Sequence, residues 1–215
     1  MGDRRSRAGE LAGGGNPLGW FETFYQEAGD DLSKIPWADG RPNPLLFDTV
    51  DRLALSGGRA LKVGCGLGED AEALAERGFE TAAFDISERA VELCRSRFPD
   101  SPVEYRVQNL LNLPAEWTGA FDLVVEVYTL QVLPESLRRL ALPALARTLA
   151  PGGRLVVLCR AREPDEAIDG FPWPLTASEL TPFTEELGLV CDSFEDLVDD
   201  EDPPVRRFRA VYRRG

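Results

Sequence analysis

Three glycines alternate at the end of an apolar run in the stretch LKVGCGLGED, where Gly64, Gly66 and Gly68 are followed at once by Glu69 and Asp70. Glycine at this spacing lets a backbone turn tightly and come close to a bound nucleotide. The same spacing excludes two common ligands. A phosphate-cradling GxxxxGK[ST] loop needs its second glycine where Glu69 stands, and the dinucleotide pattern GxGxxG needs its third glycine there too. Glu69 and Asp70 suit the start of a helix but repel a pyrophosphate, so the ligand turns no phosphate toward this loop. Asp85, at the end of the next apolar run, adds a carboxylate able to accept both hydroxyls of a ribose, while Ser87 supplies the cap of the helix that follows.

Composition removes further classes of chemistry. The 215 residues include no histidine, so the commonest general base and the commonest metal ligand are both missing. Cys65, Cys94, Cys159 and Cys191 are widely spaced, without a CxxC pair, and read as free thiols in a reduced protein rather than a metal site. A formal net charge of -13 disfavours nucleic acid and suits a small neutral or cationic partner. No apolar run is long enough to span a membrane. The opening MGDRRSRAGELAGGGNP has arginines with no apolar stretch behind them, so the expectation is a cytoplasmic chain with a flexible tail over 1–16.

The elements that must position these residues alternate in a regular way. Apolar runs at 59–64, 80–86, 103–108, 121–129 and 154–160 read as strands, with helical patterns at 70–77, 87–98 and 134–149 between them. Gly78 caps the first of those helices, and Pro151-Gly152-Gly153 closes the last. Near-continuous apolar strands joined by helices predict an α/β fold with a parallel sheet covered on both faces. Thr176-Ala177-Ser178-Glu179 matches a capping box and predicts a helix reaching Leu187-Gly188. The segments 190–197 and 207–213, joined by the acidic DDEDPP turn, are too close for a crossover helix and must form an antiparallel hairpin. The expected organisation is one domain over 17–215, with a helical cap and connector at 17–50 and a lid loop at 161–176.

A ribose site without a phosphate points to S-adenosylmethionine, and at this point the chain resembles a class I S-adenosylmethionine-dependent methyltransferase. GCGLG resembles that family's glycine motif, FDIS its ribose motif and VQNLLNLP its adenine motif, with FDLVVEVYTLQVLP and LAPGGRLVVL resembling the fourth and fifth strands. PWADGRPNPLL ahead of the glycines is most similar to the thiopurine methyltransferase-like branch. The resemblance implies a three-layer Rossmann-like methyltransferase fold, with a mostly parallel seven-stranded sheet ending in the hairpin. It implies cofactor contacts from Gly64, Cys65, Gly66, Gly68, Asp85 and Ile86, and from Asn109 and Leu110 around the adenine. Trp37 inherits a place against the cofactor from the branch's tryptophan ahead of the first strand.

Several residues are candidates for the acceptor side. Glu126 is a carboxylate inside an apolar strand, where it is costly without partners. It either faces the cofactor's cationic end, acts as a base toward substrate, or forms a structural ion pair with Arg41 or Lys62. Tyr128 and Thr129 leave the same strand and are candidates to line the transfer site, with Glu126 and Tyr128 as the catalytic pair. Trp173, in GFPWPL, Tyr25, on the helix expected over 18–28, and Trp37 are candidates to close over a flat substrate. Without a histidine, the acceptor must be nucleophilic unaided: a thiolate, a halide, a neutral ring nitrogen, or an acidic ring N–H or enol. A small, flat heteroaromatic intermediate of natural-product biosynthesis is the expected acceptor. Halide or small-thiol methylation, or binding of the cofactor without catalysis, are the alternatives. A monomer or weak homodimer with no metal is expected. Lys62 is out of character beside a sulfonium and an ammonium; it points away, pairs with Glu126, Glu69 or the cofactor's carboxylate, or weakens binding.

Overall fold

The computed structural model describes residues 2–168 and 170–215, with side chains described from residue 7 onward. Seven strands form one sheet in the order β3-β2-β1-β4-β5-β7-β6. Chain contacts group into two units, the first holding residues 1–109 with 170–172 and the second 110–169 with 173–215.

In the first unit, β1 (Arg59–Val63), β2 (Glu80–Asp85) and β3 (Glu104–Val107) run parallel, with Val63 opposite Phe84 and Asp85 opposite Val107. Successive strand residues point to opposite faces, and Ala60, Leu61, Lys62 and Val63 are all buried, so both faces of β1 are covered. Helix α1 (Gly2–Ala12) occupies the stretch expected as a flexible tail. It buries Ala8 and Ala12, and Arg7 on it pairs with Glu27 of α2 (Trp20–Ala28) at 2.6 Å. Helix α3 (Pro44–Arg52) starts from Asn43, whose side chain accepts the Leu45 and Leu46 amides, with Pro44 preset for the first turn. Helix α4 (Glu69–Glu76) starts directly from Gly68, and α5 (Glu88–Arg97) from Ser87, which caps the Ala90 amide.

In the second unit, β4 (Phe121–Val127) pairs in parallel with β5 (Leu149–Arg160), from Leu123 opposite Arg154 to Val127 opposite Leu158. Helix α6 (Glu135–Thr148) links them. Pro151-Gly152-Gly153 does not end α6 as expected but lies inside an early, irregular part of β5 that pairs Leu149 with Phe121. A side chain at Gly153 would stand 2.7 Å from the Phe121 carbonyl oxygen, so the irregular pairing needs that glycine. The capping box at Thr176 is present, yet it opens only a 3-10 turn at Ala177–Glu179. Pro182, lacking an N–H, restarts the chain as the short α7 (Pro182–Glu185) instead of continuing one helix. Strands β6 (Val190–Val198) and β7 (Arg206–Arg213) form the expected hairpin, with β7 antiparallel to both β5 and β6. The 161–176 segment returns to the sheet through a bridge between Ala161 and Leu175; its residue 169 lies outside the described residues. No helix among the described residues is long and apolar enough to cross a membrane.

Candidate functional site

The glycine loop leaves the carboxyl end of β1, where parallel sheets present their ligand sites. Gly64, Gly66 and Gly68 all have positive φ, at 55°, 56° and 96°. Gly68 is also pressed by neighbours, whereas Gly66 is not. A Cβ on Gly68 would lie 2.7 Å from the Tyr105 hydroxyl and 3.2 Å from Cys94 Sγ, while one on Gly66 would stand 3.5 Å from the Tyr25 hydroxyl and 3.7 Å from Trp37 Cδ1. Gly68 is therefore required by packing below the loop, and Gly66 keeps open the space beneath an aromatic pair. That pair is itself joined, with Trp37 Nε1 donating to the Tyr25 hydroxyl at 2.8 Å.

Asp85 ends β2 and is buried. Its Oδ2 accepts the Gly66 amide at 3.0 Å and its Oδ1 accepts the Ser87 amide at 3.0 Å. Burial raises its pKa above the ordinary carboxylate value, although the Ser87 and Gly66 amides and Lys62 oppose that rise. Gln108 donates its amide to the Asp85 carbonyl at 2.9 Å, which brings the following Asn109 to the same end of the sheet. Ile86 is half-buried between Asp85 and Ser87, and Leu110 is buried at the start of a 3-10 turn. Cys65 turns its thiol away from the loop into a cluster with Ala71, Ala83, Val91, Cys94, Val103 and Tyr105, leaving only its backbone on the loop. The neighbouring Cys94 thiol and burial push the Cys65 pKa up, so it stays a thiol.

Lys62 takes a partner the sequence did not suggest. Its ammonium donates to the Val63 and Gly64 carbonyls at 3.0 and 3.2 Å and stands 3.7 Å from Asp70 Oδ2. Asp70 also accepts the Asn43 amide at 2.8 Å. Glu69, one of the expected partners, pairs with Arg97 at 2.7 Å instead.

Of the acceptor-side candidates, Glu126, Tyr128 and Thr129 lie in the second unit, within one turn at the exit of β4, whereas Tyr25 lies on α2 of the first unit. Glu126 Oε1 accepts the Thr129 and Leu130 amides at 2.6 and 2.9 Å, so this oxygen holds the turn rather than standing ready as a base. Tyr128 takes a left-handed conformation with φ of 64°, a strain that side chains other than glycine accept at few places and often at functional sites. Its ring is covered by Arg207 of β7, whose Cζ lies 4.6 Å from the ring centroid. Arg207 is buried and in turn paired with Asp199 at 2.6 Å and Glu201 at 2.5 Å, both from the acidic hairpin turn. Trp173 is half-buried and tied by its amide to the Gln131 carbonyl at 2.8 Å. Asp70, Arg207 and Glu22 (which accepts the Ser87 hydroxyl at 2.6 Å) were not singled out from the sequence as parts of the site, since their contacts are made only by folding.

Residues 60–153 match the family described as "Methyltransferase domain", which spans the glycine loop, Asp85 and the β4 exit. A "Probable thiol methyltransferase 2" of Arabidopsis thaliana is 31% identical over 180 residues, covering 83% of this chain and 76% of that protein. The chain belongs to the S-adenosylmethionine-dependent methyltransferases. A "Ubiquinone biosynthesis O-methyltransferase" of Xanthomonas oryzae pv. oryzae is 38% identical over 125 residues, or 57% of this methyltransferase and 52% of the relative. The chain thus spans about half the length of that relative. Among solved structures, one reported for conversion of a disulfide bond into a thioacetal group during echinomycin biosynthesis has a TM-score of 0.75 at 21% identity, covering 93% of this methyltransferase and 92% of that chain. It shares the fold.

Proposed function

We propose that this protein transfers a methyl group from S-adenosylmethionine to a nucleophilic heteroatom of a small, flat heteroaromatic molecule. The observation that carries the cofactor half is Asp85, a buried carboxylate fixed by the Gly66 and Ser87 amides beside a loop of three positive-φ glycines. The residues fit an adenosyl group: Asp85 offers oxygens to ribose hydroxyls, the half-buried Trp37, set edge to face against Tyr25, offers an aromatic ring, and Asn109 and Leu110 offer a side-chain acceptor and an amide to the adenine. When bound, the cofactor supplies an already activated methyl group on a sulfonium. The protein's own task is alignment and exclusion of water, and alignment is worth about 7–11 kcal/mol.

The acceptor class follows from what the β4 exit lacks. There is no histidine in the chain, and Glu126 commits Oε1 to two backbone amides. An acceptor already nucleophilic at neutral pH needs neither a histidine nor the turn-holding Glu126 as base, and is favoured. Tyr128, held under Arg207, and Thr129 are the side chains assigned to contact it, with Glu126 in a positioning role. Trp173 is assigned as the aromatic wall of the lid. The thiol methyltransferase relative favours a second reading in which the acceptor is a small thiolate, in line with the thiopurine methyltransferase-like resemblance of the connector.

Purified protein mixed with S-adenosylmethionine and a panel of azines, thiols and halides tests this directly, with formation of S-adenosylhomocysteine as the readout. Turnover confined to azines supports the first reading, and turnover confined to thiols the second. Tight cofactor binding with no turnover on any member would refute catalysis on these acceptor classes.

A further inference from the structure

Helix α2 carries a carboxylate with no role in the reaction outlined above. Glu22, in its first turn, accepts the Ser87 hydroxyl at 2.6 Å and the Arg89 amide at 3.2 Å through Oε2. Its Oε1 accepts Gln26 Nε2 at 2.8 Å. A carboxylate from one helix thus sits on the N-terminal amides of another, where the helix dipole favours negative charge. Burial pushes the Glu22 pKa up, but the Ser87, Arg89 and Gln26 bonds outweigh it and hold the carboxyl below its ordinary value.

The bonds around Glu22 form a chain that reaches the glycine loop. The Ser87 hydroxyl that donates to Glu22 also accepts the Ala90 amide at 3.0 Å. The Ser87 amide holds Asp85 Oδ1, and Asp85 Oδ2 holds the Gly66 amide. Beyond Gly66 stand the Tyr25 hydroxyl and the Trp37 indole, and Tyr25 lies on α2 one turn after Glu22. Phe24 of the same helix packs against Trp37, with ring centroids 5.1 Å apart. A second tie, Arg89 to Asp30 at 2.5 Å, fastens the chain just past the end of α2 to α5. The two ends of this chain of bonds are the ribose carboxylate and the Tyr25–Trp37 pair, and Glu22 is where α2 is joined to the strand-to-helix turn that carries Asp85.

We infer that Glu22 is a positioning residue for the cofactor, fixing Asp85 through Ser87 and holding the Tyr25–Trp37 pair over Gly66, with α2 as the cover of the adenosyl group. The inference rests on the reading that Asp85 and the glycine loop receive that group. Neither side of the contact alone has reason to keep this geometry. Ser87 needs only to cap α5, and Tyr25 needs only an apolar place to bury its ring. Glu22 makes the two arrangements one.

The test is titration of the full chain with S-adenosylhomocysteine by calorimetry, paired with amide hydrogen exchange. Wild type, Glu22→Ala, Glu22→Gln, Asp85→Ala and Glu27→Ala are compared. Glu27 lies on the same helix but pairs outward with Arg7, so its loss controls for general damage to α2. Glu22→Ala is expected to bind at least tenfold more weakly and Glu27→Ala within twofold of wild type. Glu22→Gln, which keeps an oxygen to accept the Ser87 hydroxyl, should recover part of the loss. Exchange at the Gly66 and Ser87 amides should quicken in Glu22→Ala while β1 and β2 amides stay protected, a local change that a merely structural role would not produce. Should Glu22→Ala fail to fold, Glu22→Gln must still bind at least threefold more weakly. Glu22 variants that bind within twofold of wild type while Asp85→Ala loses binding would overturn the inference alone. Undiminished binding by Asp85→Ala would overturn the adenosyl reading and the inference with it.

Discussion

Replacing Lys62 tests how the glycine loop, proposed above to receive the cofactor, tolerates a cation beneath it. The Lys62 and Asp70 side chains are only 4% and 13% exposed and 3.7 Å apart. With an effective dielectric constant of about 20, attraction at that distance is worth about 4 kcal/mol, most of it offset by the cost of taking both charges out of water. Removing one partner strands the other. Lys62→Met is therefore expected to destabilise by about 3 kcal/mol, since Asp70 stays buried and the Val63 and Gly64 carbonyls lose a charged donor. Asp70→Asn should cost a similar amount, although its amide oxygen can still accept the Asn43 amide. The double variant should cost no more than either single one, a coupling of about 3 kcal/mol read from urea unfolding at a common pH. Binding supplies the second half of the assay. Asp70→Asn leaves the ammonium uncompensated, so binding of cationic S-adenosylmethionine should fall several-fold more than binding of uncharged-sulfur S-adenosylhomocysteine. Lys62→Met should bind neither ligand more tightly than wild type. Additive single effects would show that the pair is not coupled, and markedly tighter S-adenosylmethionine binding by Lys62→Met would show that the lysine opposes the cofactor.

Three further outcomes are expected. Because burial raises the Asp85 pKa, lowering the pH protonates it earlier than an ordinary aspartate, and S-adenosylhomocysteine affinity should decline through that range. The decline should be absent in Asp85→Asn, as read by calorimetry at several pH values; an unchanged profile in that variant would assign the titration elsewhere. Gly68→Ala should destabilise by about 3 kcal/mol, from a left-handed backbone and the displaced Tyr105 hydroxyl, which is bonded to Glu72. Gly66→Ala meets no contact under 3.5 Å and should cost only about 1 kcal/mol in urea unfolding while abolishing cofactor binding, so equal stability losses would contradict this division of roles. Arg207→Met should raise the KM for whichever panel acceptor is turned over, by loosening Tyr128, with S-adenosylhomocysteine affinity unchanged. A parallel loss of cofactor affinity would count against Arg207 acting through Tyr128.

The sheet was readable because parallel strands buried on both faces must be apolar throughout, and their glycine and proline boundaries are local. The hairpin was readable because its turn is too short for any other connection. Two boundaries misled for equally local reasons. Pro151-Gly152-Gly153 resembles a stop, but it serves an irregular pairing with Phe121 that only the folded sheet defines. The capping box at Thr176 is real, and Pro182 then interrupts the helix it announces. Helix α1 is not announced by its sequence, because its few alanines acquire a buried face only on docking.

The tight turn of the loop glycines and the place of Asp85 at the end of β2 are legible from spacing alone, while the charged partners of Lys62 and Ser87 are not. The chain reaches Asp70 only after turning from β1 into α4, and Glu22 meets Ser87 from a helix far earlier in the sequence. Glu126 shows a different kind of gap. A carboxylate in an apolar strand was read as functional because burial demands partners, and that premise holds. The partners looked for were a cofactor's cation, a substrate's proton, or the side chains of Arg41 and Lys62. Backbone amides just downstream, at Thr129 and Leu130, satisfy Oε1 instead. They reach it because Tyr128 turns left-handed and folds the chain back over the strand end. The same strained residue whose ring lies under Arg207 therefore also brings two amides onto one oxygen of the buried acid. Relieving the strain with Tyr128→Gly should leave the Glu126 bonds intact, whereas removing Glu126 should release the turn and the tyrosine together.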